Sequence, residues 1–394
     1  MLMKKLTHYL LLPELEMKEM TMTRRTWVRY ETVKRSQMEY CPRCASPSDH
    51  IYDHRTIVVK DAPIRDQIVF LSIKKRRLWC SKCQRPFTEP VPGIRKGSRT
   101  TERYKKAVTW ACENFSDLER VQRTYRCSAG YLFKVLYRRL EERHRMRQTP
   151  WPTTIGIDEH SFRRRGFAGG TEFATMFVDY SHRRILDIAQ GKNVADIIPQ
   201  ISHIQSRENV KQVIVDLCDP FKKLTKEFFP NALLIADKFH VLRLLTPSLL
   251  KRRKQLTGTR AEAYARRLLT SNGHALDYWQ KNTILQFLKT HPDLRELYQW
   301  KERLHGFYRI GGYFRAYKAL KHMLDDMSFS LLPEIRTLRK TLLKWKEEIL
   351  NYFSTGLTNG RTEGYNNLAK LVQRRAFGYK NFNNYRLRLL NACY

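Results

Sequence analysis

The stretch that decides the fold is Val210–Val241, VKQVIVDLCDPFKKLTKEFFPNALLIADKFHV. Val213, Ile214 and Val215 form a short, continuous apolar run that ends in Asp216, the pattern of a buried strand. Pro220 then sits near the first turn of a helical run, where its missing N–H costs nothing. NALLIADKFHV reads as a second strand, ending in Asp237 and His240. A carboxylate at the end of each strand is the feature to follow outward.

Upstream, TTIGIDEHSF is a short β-rich run carrying Asp158. EFATMFVDY and RRILDIAQG follow as two more strands, and NVADIIPQISHI is helical. The order strand-strand-strand-helix-strand-helix-strand predicts a ribonuclease-H-like α/β core on a mixed five-stranded sheet. In such a core the first and fourth strands are neighbours, so Asp158 and Asp216 fall close together on one sheet edge. With a third carboxylate from a later helix they would hold two Mg²⁺ (or Mn²⁺) ions, roughly 3.5–4 Å apart, for phosphoryl transfer. Strand alternation turns Asp158 and Glu159 to opposite faces, and Asp158 is the better ligand. Asp219 is expected to cap the helix beginning at Pro220, and Asp179 and Asp187 to be solvated.

The third acid is expected in TEGYNNLAKLVQRRAFGYKNF, Thr362–Phe382. Gly356 and Gly360 break the preceding helix, and Glu363 heads the next one among Arg361, Asn366, Asn367, Lys370, Arg374 and Arg375. An acid needed for solubility gains nothing there; a metal ligand facing a phosphate backbone does. The basic and amide side chains around it are candidate DNA contacts. The stretch from about Leu242 to Asn351 is long, amphipathic and poor in Gly and Pro, which predicts an all-helical insertion with Trp279, Trp300 and Trp345 in its core.

Composition bounds the partner. Lys plus Arg is 74 against 38 Asp plus Glu, a formal charge of +36, while 42% of the 394 residues are hydrophobic. A folded chain this positive calls for a polyanion, and double-stranded nucleic acid leads, with salt-sensitive binding. No apolar run approaches the roughly 20 residues of a membrane span. The opening MLMKKLTHYLLLPELEM imitates a signal peptide, but His8, Pro13 and Glu14 interrupt its apolar cluster. The expectation is a cytoplasmic protein.

Four of the eight cysteines are spaced for metal. Cys41 and Cys44 form CPRC, and Cys80 and Cys83 form CSKC, with 35 residues between the pairs. Two such turns complete a four-thiolate structural Zn²⁺ site with no open position for chemistry. Between them Val69, Leu71 and Ile73 alternate along a strand that leads into the second knuckle. Lys74, Lys75, Arg76 and Arg77 form either a basic patch or an ordinary solvated face. After a Pro/Gly linker, Tyr104, Ala107, Val108 and Ala111 mark one helix. Ser116 caps a second, and Ser128 caps a third whose stripe is Leu132, Val135, Leu136 and Leu140. That is a helix-turn-helix layout, with Lys134, Arg138 and Arg139 as candidate DNA contacts. Cys112 and Cys127 read as small buried hydrophobes.

In this order LLLPELEM, CPRC…LWCSKCQRPFTE, GIDEHSF, VDLCDPF, FPNALLIADKFHV and GRTEGYNNLAKLVQRRAFGYKNF resemble bacterial insertion-sequence DDE transposases of the ISL3 type over nearly the whole chain. The resemblance implies metal-dependent cleavage of transposon ends and strand transfer into target DNA. It places the triad on Asp158, Asp216 and Glu363, with Asp237 and His240 in support. The expected domains are an N-terminal segment (1–35), a zinc ribbon (36–95), a helix-turn-helix (96–150) and the catalytic domain (151–394, insertion at about 242–351), working as a homodimer or higher oligomer on DNA. A zinc-ribbon and helix-turn-helix regulator without catalysis, or a nuclease of the same fold, are the alternatives.

Overall fold

The computed structural model describes residues 11–24, 26–114, 117–164, 170–257 and 263–393. The chain divides into two compact units, Met1–Arg143 and His144–Tyr394.

The first unit is built on a five-stranded sheet. Strands β1 (Leu15–Arg24), β2 (Trp27–Lys34), β5 (Ile51–Ile64) and β6 (Gln67–Cys80) run in the order β1-β2-β6-β5, and β7 (Arg85–Thr88) adds to β6. A two-residue ladder of β3 (Glu39–Tyr40) and β4 (Pro47–Ser48) stands apart. Val69, Leu71 and Ile73 are buried as the alternation predicts, against Leu11, Leu15, Val28 and Val59. The basic run after them divides: Lys74 is exposed and Lys75 half-buried, while both arginines are paired within the fold. Arg76 pairs with the fully buried Glu89 (Nη2–Oε2 2.7 Å) and Arg77 with Asp53 (2.7 Å).

Three helices complete the unit among the described residues: α1 (Glu102–Asn114), α2 (Leu118–Tyr125) and α3 (Ala129–Met146). Their buried residues include Tyr104, Val108 and Ala111 in α1 and Leu132, Leu136 and Leu140 in α3. Asp117 caps α2, accepting from the Glu119 and Arg120 amides at 2.9 and 3.2 Å; Ser116, the expected cap, lies outside the described residues. Ser128 Oγ accepts from the Tyr131 amide at 3.2 Å, as expected. Lys60 Nζ donates to the carbonyls of Tyr125 and Arg126 (2.7 and 2.8 Å), satisfying acceptors that the end of α2 leaves open.

The second unit holds β8 (Thr154–Arg164), β9 (Thr171–Asp179), β10 (Arg184–Gln190), β11 (Gln212–Val215) and β12 (Leu233–Ala236) in the order β10-β9-β8-β11-β12. The first three pair antiparallel; β11 and β12 run parallel to β8. Parallel strands need crossovers. Helix α4 (Val194–Ile201) precedes β11, and α5 (Asp219–Phe228) joins β11 to β12. A short α6 (Lys238–Leu242) follows β12. Then come, among the described residues, α7 (Thr246–Thr257), α8 (Ala263–Thr270), α9 (Tyr278–Lys289), α10 (Pro292–Phe307), α11 (Tyr313–Met327), α12 (Pro333–Lys344) and α13 (Lys346–Thr355). The chain returns through α14 (Gly360–Arg375) and α15 (Phe382–Ala392).

Alternation gives each sheet face its own core. Ile155, Ile157, Val213, Val215 and Ala236 pack with the insertion helices. Ile214 and Ile235 face the other way, under Ala369 of α14 and Tyr385 and Leu389 of α15.

Several sequence expectations need correction. Strand β12 stops at Ala236, so His240 stands on α6 rather than on the strand. Trp300 and Trp345 are buried, but Trp279 is 77% exposed, because α9 turns only Ile284 and Leu288 fully inward. Asp219 is no cap; Cys218 holds that position, and the Asp219 carboxylate pairs with Lys344. Asp179 and Asp187 are not solvated. Asp179 accepts from the Ser181 and His182 amides (2.9 and 3.0 Å), pinning the β9–β10 turn, and Asp187 takes a two-pronged ion pair from Arg386 (2.6 and 2.7 Å).

Candidate functional site

Strand register assembles the site. Ile157 pairs with Val215, and Val215 with Ala236. The next residue on each strand is an aspartate: Asp158, Asp216 and Asp237. Three acids therefore stand at one level across three adjacent parallel strands: Asp158 within β8, and Asp216 and Asp237 directly after the last residues of β11 and β12. Each follows a residue of the insertion-side core, so alternation turns all three to the face covered by α14.

Their environment is tight. Asp158 and Asp237 are buried, and Asp216 is half-buried. Burial and the neighbouring Asp216 carboxylate hold the Asp158 carboxyl well above the usual carboxylate range. His240 answers the charge: its Nδ1 lies 2.9 Å from Asp216 Oδ1 and 3.0 Å from Asp237 Oδ2. Burial disfavours the imidazolium, but hydrogen bonds and charge from both aspartates outweigh it and raise its pKa to about 10.

Helix α14 is fastened to these acids by two asparagines. Asn359, its N-cap, donates Nδ2 to Asp216 Oδ1 (3.2 Å) and its amide to Asp237 Oδ1 (2.8 Å). Asn366 donates Nδ2 to Asp158 Oδ2, while the Glu159 amide holds the other oxygen at 2.7 Å. Thr362, Asn366 and Ala369 form the buried stripe of the helix. Glu363 borders that stripe in the first turn. It is exposed, and its carboxylate makes no ion pair or side-chain hydrogen bond among the described residues. The structure thus gathers Asp158, Asp216, Asp237 and His240, and sets Glu363 on the rim.

Sequence reasoning missed Asn359 and Gly156. Gly156 lies two residues before Asp158 on the same face. A Cβ there would meet Thr362 Oγ1, the Tyr180 ring (2.7 Å) and Asn359 Oδ1 (2.9 Å), all packed at the start of α14. Only a bare backbone lets the helix come this close. The signal was present: a Gly two residues before the acid and an Asn four before Glu363. Gly156→Ala should lift the first turn of α14 off the sheet and cost about 1–3 kcal/mol through overpacking, with loss of activity beyond the loss of fold. Thermal melting beside an activity assay checks this; an unshifted melt with full activity refutes the close-packing account.

The candidate DNA contacts divide. Asn366 is turned inward onto Asp158, and Arg361 donates to the Tyr180 carbonyl (2.5 Å) with its guanidinium over the Tyr180 ring. Asn367, Lys370, Arg374 and Arg375 are exposed. In the first unit Lys134, Arg138 and Arg139 are exposed on α3, the two arginines pairing with Glu142 (3.3 and 3.5 Å).

The four cysteines of the first unit converge as a second centre. Their sulfurs lie within 4.8 Å of one another, with Cys41–Cys83 at 3.9 Å and Cys44–Cys80 at 3.5 Å. Four thiolates on a tetrahedral Zn²⁺, with bonds of about 2.3 Å, would sit about 3.8 Å apart, so the set fits zinc. The knuckles are built alike. Ala45 and Gln84, the residues after each second cysteine, take left-handed φ values of 55° and 51°, and their amides donate to the Cys41 and Cys80 carbonyls (2.8 Å each). The second unit's carboxylate oxygens are the donors that suit a hard divalent cation such as Mg²⁺ or Mn²⁺. Their only cationic partner among the described residues is the His240 imidazolium.

Comparison with known proteins matches a family model to each of the two regions. Residues 155–389 match the family model of ISL3-type DDE proteins described as transposase. Residues 39–83 match the model described as the zinc-finger of transposase IS204/IS1001/IS1096/IS1165. The transposase for insertion sequence element IS1001 of Bordetella parapertussis is 23% identical over 355 residues, covering 86% of this chain and 85% of that one. The transposase for insertion sequence element IS1557 of Mycobacterium tuberculosis is 24% identical over 349 residues, 79% of this chain and 76% of its own. Among the described residues no helix is long and apolar enough to cross a membrane. A matched region covering more than half of the chain, joined to the family's own zinc ribbon, makes this chain a member of the ISL3 family of insertion-sequence DDE transposases.

Proposed function

We propose that the chain binds the terminal inverted repeats of its element, cuts them in a metal-dependent reaction and joins the freed ends to target DNA, acting as a dimer or higher oligomer. In this reading the second unit is a ribonuclease-H-like core with Asp158, Asp216 and Glu363 as its triad, and α1–α3 form a helix-turn-helix. The supporting observation is the row of three aspartates at one level of adjacent parallel strands, beneath the helix that carries Glu363.

Asp158, Asp216 and Glu363 would hold Mg²⁺ or Mn²⁺, which supplies an activated nucleophile and neutralises the scissile phosphate. The protein's own groups do the rest. Asn366 and Asn359 fix the carboxylates, and His240 offsets the charge of Asp216 and Asp237. Lys370, Arg374 and Arg375 neutralise the DNA backbone. Glu363→Gln should abolish cleavage and leave binding of the element's ends nearly intact, read by gel shift and by a plasmid-joining assay. Retained cleavage removes Glu363 from the triad. A regulator would perform neither cutting nor joining, and a nuclease only cutting.

One observation favours a variant of this reading. Asp216, Asp237 and His240 lie within 4.8 Å of one another, while Glu363 stands outside that cluster. If Asp237 completes the ligand set, Asp237→Asn abolishes cleavage and Glu363→Gln only slows it.

A further inference from the structure

We propose that Phe377 is a wedge that stacks on an unpaired or unstacked base of the bound DNA, an inference that rests on the DNA-processing function above. Among the described residues it is the most exposed large hydrophobic, at 101%. It is also held in a conformation its side chain disfavours. Helix α14 ends in a two-bond cap: the Phe377 amide donates to the Arg374 carbonyl (3.1 Å) and the Gly378 amide to the Gln373 carbonyl (2.9 Å). That motif requires left-handed backbone at the residue after the C-cap, where glycine is usual. Here the residue is Phe377, at φ 53°. A bulky residue in that region is strained, and strain kept at an exposed aromatic points to function rather than folding. The two cap bonds also hold the ring out on a rigid tip.

Charge identifies the partner. No Asp or Glu occurs between Glu363 and the last residue, Tyr394, while Lys370, Arg374 and Arg375 on the last turns of α14 and Lys380 just after it are all exposed. An exposed apolar ring in a segment of exposed cations suits nucleic acid, where phosphates meet the charges and any base offers a π-face. Phe329, exposed at 84%, lies instead beside Asp325 and Asp326, a setting that repels phosphate. Position fits as well. Phe377 follows Glu363 along one helix and its cap, about 20 Å at 1.5 Å per residue, roughly six base-pair steps at 3.4 Å each. The wedge would therefore grip DNA a short way from the bond being cut, without touching the acids.

The test uses the full chain, its zinc retained, and a short DNA duplex with a single-stranded tail carrying 2-aminopurine. Wild type and Phe377→Trp should bind and change the 2-aminopurine emission. Phe377→Ala and Phe377→Gly should bind about 10- to 100-fold more weakly and leave the emission unchanged. Phe377→Gly should melt no lower than wild type, since glycine relieves the left-handed backbone, so weaker binding cannot be blamed on misfolding. Unchanged affinity and emission in both variants would refute the wedge. If instead they lose self-association while DNA affinity holds, Phe377 is a contact between copies and the proposal fails. Neither result touches the triad. Failure of wild type to bind the probe at all would overturn the broader DNA reading.

Discussion

Asp158→Asn will reduce cleavage and joining by at least about a thousandfold, the several kcal/mol that an anchored divalent ion contributes to phosphoryl transfer. The substitution is expected to be clean. Both Asp158 oxygens accept hydrogen bonds, from the Glu159 amide and Asn366 Nδ2. Among the described residues Asn366 Oδ1 is buried with no partner at hydrogen-bond geometry, so the Asn366 amide can flip and accept from the side-chain amide that the substitution introduces. Removing a buried carboxylate beside Asp216 also removes desolvation and like-charge repulsion. The variant should therefore melt at or above the wild-type temperature without added metal, and lose the stabilisation that Mg²⁺ or Mn²⁺ gives wild type. Inactivity together with a lower melting point would mean that Asp158 is structural. Activity near wild type would remove it from the chemistry.

The second large effect concerns zinc. Cys80→Ser should take the purified chain from one bound zinc to almost none, measured by metal analysis under denaturing conditions. The loss should be local. Among the described residues the apolar side chains clustered with the cysteines are Leu78 and Phe87 alone, and the β3–β4 ladder has two residues on each strand. So little apolar area cannot hold two turns together, and metal binding here amounts to folding. Limited proteolysis of Cys80→Ser should open new cuts near residues 36–50 and 81–90. The sheet below, with its own core of Val69, Leu71 and Ile73, should stay protected. Zinc retained at full stoichiometry would break the four-thiolate assignment. An unchanged cleavage pattern would show that the knuckles stand without metal.

Much of this architecture was legible. Order and periodicity predicted every strand of the second unit, because buried strands carry dense apolar runs and short turns punctuate them. The paired C-x-x-C spacing predicted the sulfur cluster. What escaped was tertiary. Nothing local to Asp179 or Asp187 says that a turn or an arginine from α15 will bury it. Trp279 carries a core-like side chain on an outward turn. Asn366 read as a candidate DNA contact in a basic segment, and Asn359 drew no reading at all. Only the approach of α14 to Gly156 turns them into partners of the acids, and close approach of distant segments leaves no periodic trace. Glu363 is the instructive case, since charge context drew attention to it, while the arrangement of the free protein centres on Asp216, Asp237 and His240.

The alignment of the three acids also makes the gene fragile in a particular way. Each aspartate reaches the common face only because its strand keeps an unbroken two-residue alternation up to it. Gain or loss of a single codon within β8, β11 or β12 would swing that strand's carboxylate to the opposite face. Such a copy could still fold and occupy DNA while unable to mobilise it, and so compete with intact copies for the same ends.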